Sequence, residues 1–162
     1  MIRAVCTLLA LLAAGCAQVE IRPDLRILEF ELTGRLAART PAESFTGNLN
    51  WRHARSADEL VISTPLGQGV ARILRQDDAV LLATADRREY RAPDAESLTE
   101  RVLGFRLPLS GLADWVRGKP SPDLEERGWK VEYQEYDAER RPILMRLTYP
   151  AVELRLAVSE WK

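Results

Sequence analysis

Few side chains in this sequence could do chemistry. It holds one histidine, His53, and two cysteines, Cys6 and Cys16. Zinc centres draw most of their ligands from these two residue types, so no metal site is expected. Ser110 and His53, with a nearby Asp, could be recited as a hydrolytic triad. Against that, His53 falls in a polar turn, WRHARSADE, Ser110 is better used as a helix cap, and no Gly-x-Ser-x-Gly string is present. Glu125 and Glu126 read as a solvated loop. No catalytic residue is expected, and an enzyme acting on lipid or peptidoglycan is the least favoured reading.

Cys16 is different, because of what precedes it. The N-terminus reads MIRAVCTLLALLAAGC: Arg3, an apolar run from Ala4 to Ala14, then Gly15 and Cys16. As a helix this run rises only about 16 Å, roughly half of a hydrocarbon core of about 30 Å. It is read as an export signal, residues 1–15, that is removed. Ala13-Ala14-Gly15-Cys16 resembles a bacterial lipobox, in which the Cys becomes the acylated first residue. That implies a diacylglycerol and an N-acyl group on Cys16, and no other cofactor. The alternative is an ordinary secretory signal with Cys16 an incidental thiol. Residues 16–27, with Pro23, form a tether. Ala17 follows the Cys where Asp would mark inner-membrane retention, so the outer membrane is the expected address.

A length of 162 residues suits one domain, and the 147 left after the signal can build a core without disulfides. Hydrophobic residues make up 46% and charged residues 29%, as in ordinary globular chains. Twenty-three Lys and Arg against 24 Asp and Glu leave a charge of -1, which argues against nucleic acid as a partner.

The elements that must position these residues are mostly strands. Leu28, Phe30, Leu32, Gly34, Leu36 and Ala38 alternate with polar residues, and Phe45, Gly47, Leu49 and Trp51 repeat the pattern after a turn at 40–43. These should form a hairpin. Further strands carry Leu60, Ile62 and Thr64, then 69–75, then 79–84. Alternation returns through Trp129, Val131 and Tyr133, through Ile143 to Tyr149, and through Val152 to Val158, for eight or nine strands. Trp161 is out of phase with Val158 and is expected to cover an end of the sheet. Between the two groups, Asp94 caps a helix stopped by Gly104, and Ser110 caps a second, with Leu112, Trp115 and Val116 on one side, ended by Gly118 and Pro120.

An antiparallel sheet of this size cannot have its apolar face covered by some twenty helical residues. Either it closes into a packed barrel, or it curls around an underfilled hollow suited to lipid. Gly34 and Gly47, on the apolar face, permit bending or leave room.

Several strings then resemble one family. LTGRLAAR, FTGNLNW, STPLGQ, YRAPDAESL, LGFRLPLSGLADWVRGKP, GWKVEYQEY and LAVSEW occur in the order found in LolB, the outer-membrane lipoprotein receptors, over residues 28–162. The resemblance implies a mainly β fold with short helices, in which a strongly curved antiparallel sheet, an open half-barrel, carries the helices as a lid over a hydrophobic cavity. It implies a lipid-anchored monomer facing the periplasm, which accepts acylated lipoproteins from the carrier LolA and inserts them into the inner leaflet of the outer membrane. Leu66 matches the family's membrane-inserting residue. Locally, Pro65 presets the turn, Gly67 tolerates its exit and Leu66 is left at the tip. Trp51, Trp115, Leu49 and Leu36 are the acyl-cavity candidates, although plain core packing explains the tryptophans as well. A lipoprotein that carries some other lipid or glycolipid is the alternative function.

Overall fold

In a computed structural model of the protein, residues 21–103 and 106–162 are described. The signal segment 1–15, Cys16 and the Gly104 helix stop lie outside them. The strands are β1 (Phe30–Arg39), β2 (Ser44–Ala54), β3 (Ala57–Ser63), β4 (Gly69–Gln76), β5 (Ala79–Thr84), β6 (Glu89–Ala92), β7 (Lys130–Tyr136), β8 (Pro142–Tyr149) and β9 (Val152–Trp161). Between β6 and β7 run three helices, α1 (Ala95–Leu103), α2 (Leu109–Val116) and α3 (Pro122–Glu126). All nine strands form one antiparallel sheet in the order β6-β5-β4-β3-β2-β1-β9-β8-β7. The sheet is open, with β6 and β7 at its edges.

The expected alternation sets the register. Leu32 pairs with Trp51, Gly34 with Leu49 and Leu36 with Gly47, so one face of the β1–β2 hairpin is apolar except at His53, opposite Phe30. That face belongs to a single core cluster. It reaches from Leu82 and Tyr90 near one edge to Leu147 and Tyr133 near the other, and includes Leu109, Leu112, Trp115, Val116 and Leu124 from the helices. A sheet whose two edges share one core must wrap around it, with the helices on the concave side. Gly34 and Gly47 allow close approach: a Cβ would lie 2.3 Å from the Ala157 carbonyl at Gly34 and 2.3 Å from that of Ser63 at Gly47. Neighbouring backbone, not a hollow, takes the space.

Four expectations are corrected. His53 is not in a turn: it extends β2 and is 5% exposed, because the reversal is confined to Arg55 and Ser56. Ser110 does not cap α2. The helix starts two residues earlier than that cap implies, at Leu109, with Pro108 at the cap and no side-chain cap bond, which leaves Ser110 exposed in the first turn. Trp161 closes β9 at an end of the sheet, but not in the phase that alternation from Val158 gives. A register shift between Thr33 and Gly34 brings it opposite Leu32, its ring meets Phe30 edge-on at 5.7 Å, and its indole donates to the Pro142 carbonyl at 3.2 Å. Residues 122–126 are helical, with Pro122 at the start and Leu124 buried; Glu125 and Glu126 stay exposed. Asp94 does cap α1, its carboxylate accepting from the Ser97 N–H at 2.7 Å and hydroxyl at 2.8 Å.

Candidate functional site

Two places carry the sequence candidates, and they are separate. The first is the β3–β4 connection. Pro65 and Leu66 are the central residues of a turn closed by the Gly67 N–H donating to the Thr64 carbonyl at 2.9 Å. The Thr64 N–H donates to the Gln68 carbonyl at 2.8 Å, the Gln68 N–H to the Thr64 hydroxyl at 3.2 Å, and Asn48 Nδ2 to the Thr64 carbonyl at 3.2 Å. Gly67 has φ +85°, a region costly to residues with a Cβ. The turn is thus tied on three sides, and Leu66 at its tip is 90% exposed. Its side chain gains nothing from the fold. Burying it elsewhere would return about 1.5–3 kcal/mol.

The second place is the concave interior. Leu49, Trp51 and Trp115 are 4%, 3% and 1% exposed, and Leu36 is half-buried against the same cluster. They pack among other side chains. Trp51 meets the Phe30 ring edge-on at 5.3 Å, and the Tyr133 hydroxyl donates to the Trp115 carbonyl at 2.8 Å. The Trp115 indole N–H is buried without a hydrogen-bond partner. Two clefts open elsewhere, at β1, β2 and β9. One, of about 400 Å³, is lined by Thr33, Gly34, Arg35, Asn48, Ala157, Val158 and Ser159, and one of about 190 Å³ lies beside Arg39, Phe45 and Arg155. Neither is lined by the cavity candidates.

Beneath Trp51 lies a polar cluster that the sequence did not disclose. Asp58 is fully buried; its Oδ1 accepts from Trp51 Nε1 at 2.8 Å and faces His53 Nδ1 at 2.6 Å, while Arg75 Nε donates to Oδ2 at 2.5 Å. His53 in turn stacks on Phe30, 4.8 Å between centroids. The available signal was phase: Trp51 and His53 share one face of β2, and Trp51 faces Leu60 while His53 faces Asp58 across the hairpin. The cluster holds the Trp51 and His53 rings in place.

The helices are fastened over this interior at a few points. Arg117, just after α2, donates to Glu29 at 2.5 Å and to Asp114 at 2.8 Å, with its guanidinium 5.6 Å above the Phe30 ring. The Arg117 hydrogen bond holds the Glu29 carboxyl below its ordinary range, against partial burial. Arg127 pairs with Glu96, joining the end of α3 to α1. Burial pushes the Tyr133 hydroxyl up to about 12. Among the described residues no group of His, Cys, Asp and Glu is placed to hold a metal ion, and no helix is long and apolar enough to cross a membrane.

The chain is similar to known proteins over most of its length. The family model for outer membrane lipoprotein LolB matches residues 28–161. The outer-membrane lipoprotein LolB of Thiobacillus denitrificans is 34% identical, with 98% of this chain and 96% of that protein aligned. Those of Nitrosomonas europaea and Chromobacterium violaceum are 37% and 35% identical, covering 89% and 100% of this chain and 77% and 100% of their own lengths. Among solved structures, a LolA superfamily protein from Nitrosomonas europaea superposes with a TM-score of 0.45 at 10% identity, over 82% of this chain and 85% of that one.

Proposed function

The chain belongs to the LolB family of outer-membrane lipoproteins, and from that premise we propose that it receives acylated lipoproteins from the carrier LolA and inserts them into the inner leaflet of the outer membrane. The family membership supports a role in lipoprotein localisation at the outer membrane, as a receptor and not an enzyme, without a cofactor. Cys16 carries the acyl groups that hold it there, facing the periplasm.

A solubility problem makes such a receptor necessary. Exposing the about 45 methylenes of a triacylated cargo, at roughly 0.8 kcal/mol each, would cost tens of kcal/mol. Cargo therefore moves from one sheltered site to the next. Here the shelter is the concave interior, where Leu36, Leu49, Trp51 and Trp115 present apolar surface. The acyl chains enter as α2 and α3 lift from the sheet, and Trp115, moving with α2, keeps its apolar ring and unpartnered N–H facing them. Transfer runs without energy input if cargo binds more favourably here than in the carrier, and more favourably still in the bilayer.

The observation that carries this reading is Leu66, a fully presented leucine on a braced turn. Its burial among lipid headgroups and acyl ends gives the loop a hold on the membrane during release. The test is Leu66→Glu. Expected is normal capture of cargo from the carrier, with insertion into vesicles reduced at least tenfold; normal insertion by the variant would remove Leu66 from the mechanism. Native mass spectrometry of a Cys16→Ala form that found free lipids and no acylated protein would favour the other-lipid carrier instead.

A further inference from the structure

The outer face of the sheet holds a small dry patch outside the main core. By register, Ala54 faces Ala57, Ala57 faces Gln76 and Leu74 faces Leu81, all pointing away from the concave side. Ala54, Ala57, Leu74 and Leu81 are 5%, 0%, 8% and 8% exposed, yet none belongs to the core cluster. An outward face is expected to be wet. The segment that crosses here is the one before β1. The Glu29 N–H donates to the His53 carbonyl at 2.8 Å and the Asp24 N–H to Gln76 Oε1 at 2.7 Å, which carries the chain from beside β2 to beside β4. Along it Ile21, Pro23 and Leu25 are half-buried, alternating with exposed Arg22, Asp24 and Arg26. Arg26 folds back onto the Asp24 carboxylate through bonds of 2.9 and 2.7 Å, pinching the segment where it meets Gln76.

We propose that residues 21–25 are a strap docked on this patch, and that it must come off for the Leu66 tip to enter the membrane that holds the anchor. The strap leaves the sheet at the β4–β5 end, and the β3–β4 loop is at the opposite end of the same strands. For the tip to point into the bilayer, the exit point must stand above it by the length of β3 and the loop, more than about 20 Å. The five steps from Cys16 to Ile21 span at most about 17 Å. Docked, the strap is too short; released back to Glu29, thirteen steps reach about 45 Å. The release step rests on the assignment of Leu66 to membrane insertion, whereas the docking does not.

The experiment uses the full acylated chain carrying Asp24→Cys and Gln76→Cys, bridged after folding by a short bis-maleimide, on vesicles of phosphatidylethanolamine and phosphatidylglycerol. A high yield of bridging is expected, with cargo capture from the carrier unchanged and insertion at least tenfold slower than in the same variant unbridged. Failure to bridge would overturn the docking, and equal insertion in the two forms would overturn the release. Leu66→Glu run alongside separates the premises: normal insertion by it defeats the Leu66 assignment, while the bridging yield still decides the docked strap.

Discussion

Asp58 occupies the position where a lost partner would be felt most. A fully buried carboxylate is tolerated because Trp51, His53 and Arg75 surround its two oxygens. Asp58→Ala should cost about 3–5 kcal/mol, since it strands Arg75 and releases the Trp51 indole. Asp58→Asn, which can still accept from the indole, should cost less. Equilibrium unfolding in denaturant checks both, and a loss under 1 kcal/mol in the alanine variant would show that the cluster relaxes into water. Leu66 is the converse case. Its exposure costs the fold little, and its turn was readable because Pro, Leu and Gly in series each have a local conformational reason.

At the scale of elements, the lid is a set of short helices whose order depends on what they touch. Helix α2 is eight residues long, too short to be stable alone. It is held by its buried side, by Arg117 to Glu29 and by the Tyr133 hydroxyl on the Trp115 carbonyl. Tyr133→Phe should lose about 1 kcal/mol at neutral pH. The hydroxyl also predicts a pH dependence. Its folded-state value is raised to about 12 from an ordinary 10, by burial first and then by the charges of Tyr136 and Glu125. Stability from this source is complete below pH 10 and is lost as pH rises towards 12, because the unfolded chain ionises first. Thermal melts between pH 9 and 12 should fall less steeply for the phenylalanine variant. Identical slopes would mean that the hydroxyl is not held in the folded state.

For the molecule as a whole, the apolar interior that would shelter acyl chains is lined by side chains that are themselves buried against one another. Binding there requires α2 and α3 to leave the concave face. Hydrogen exchange on the soluble Cys16→Ala form should therefore show the amides of α2 and α3 exchanging at least tenfold faster when a triacylated lipopeptide is bound, with β1 and β2 unchanged. Tight binding with unaltered exchange would place the acyl chains outside this interior.

The strands, their faces and the Leu66 turn were legible because alternation and turn chemistry are local: β1 and β2 follow from period two, and the Leu32–Trp51 pairing from a hairpin that keeps apolar residues on one side. The four-residue β6 and five-residue α3 were not, since neither is long enough to show a period. What needed the tertiary structure was whatever joins distant residues. A bulge beside Gly34 turns Trp161 inward, β4 brings Arg75 to Asp58, and the segment before β1 crosses to Gln76. The choice between a hollow and a filled interior belongs to the same class. Spacing along the chain tells which side chains share a face, but the volume between a curved sheet and its helices depends on curvature and rotamers together, and these exist only once the strands have paired.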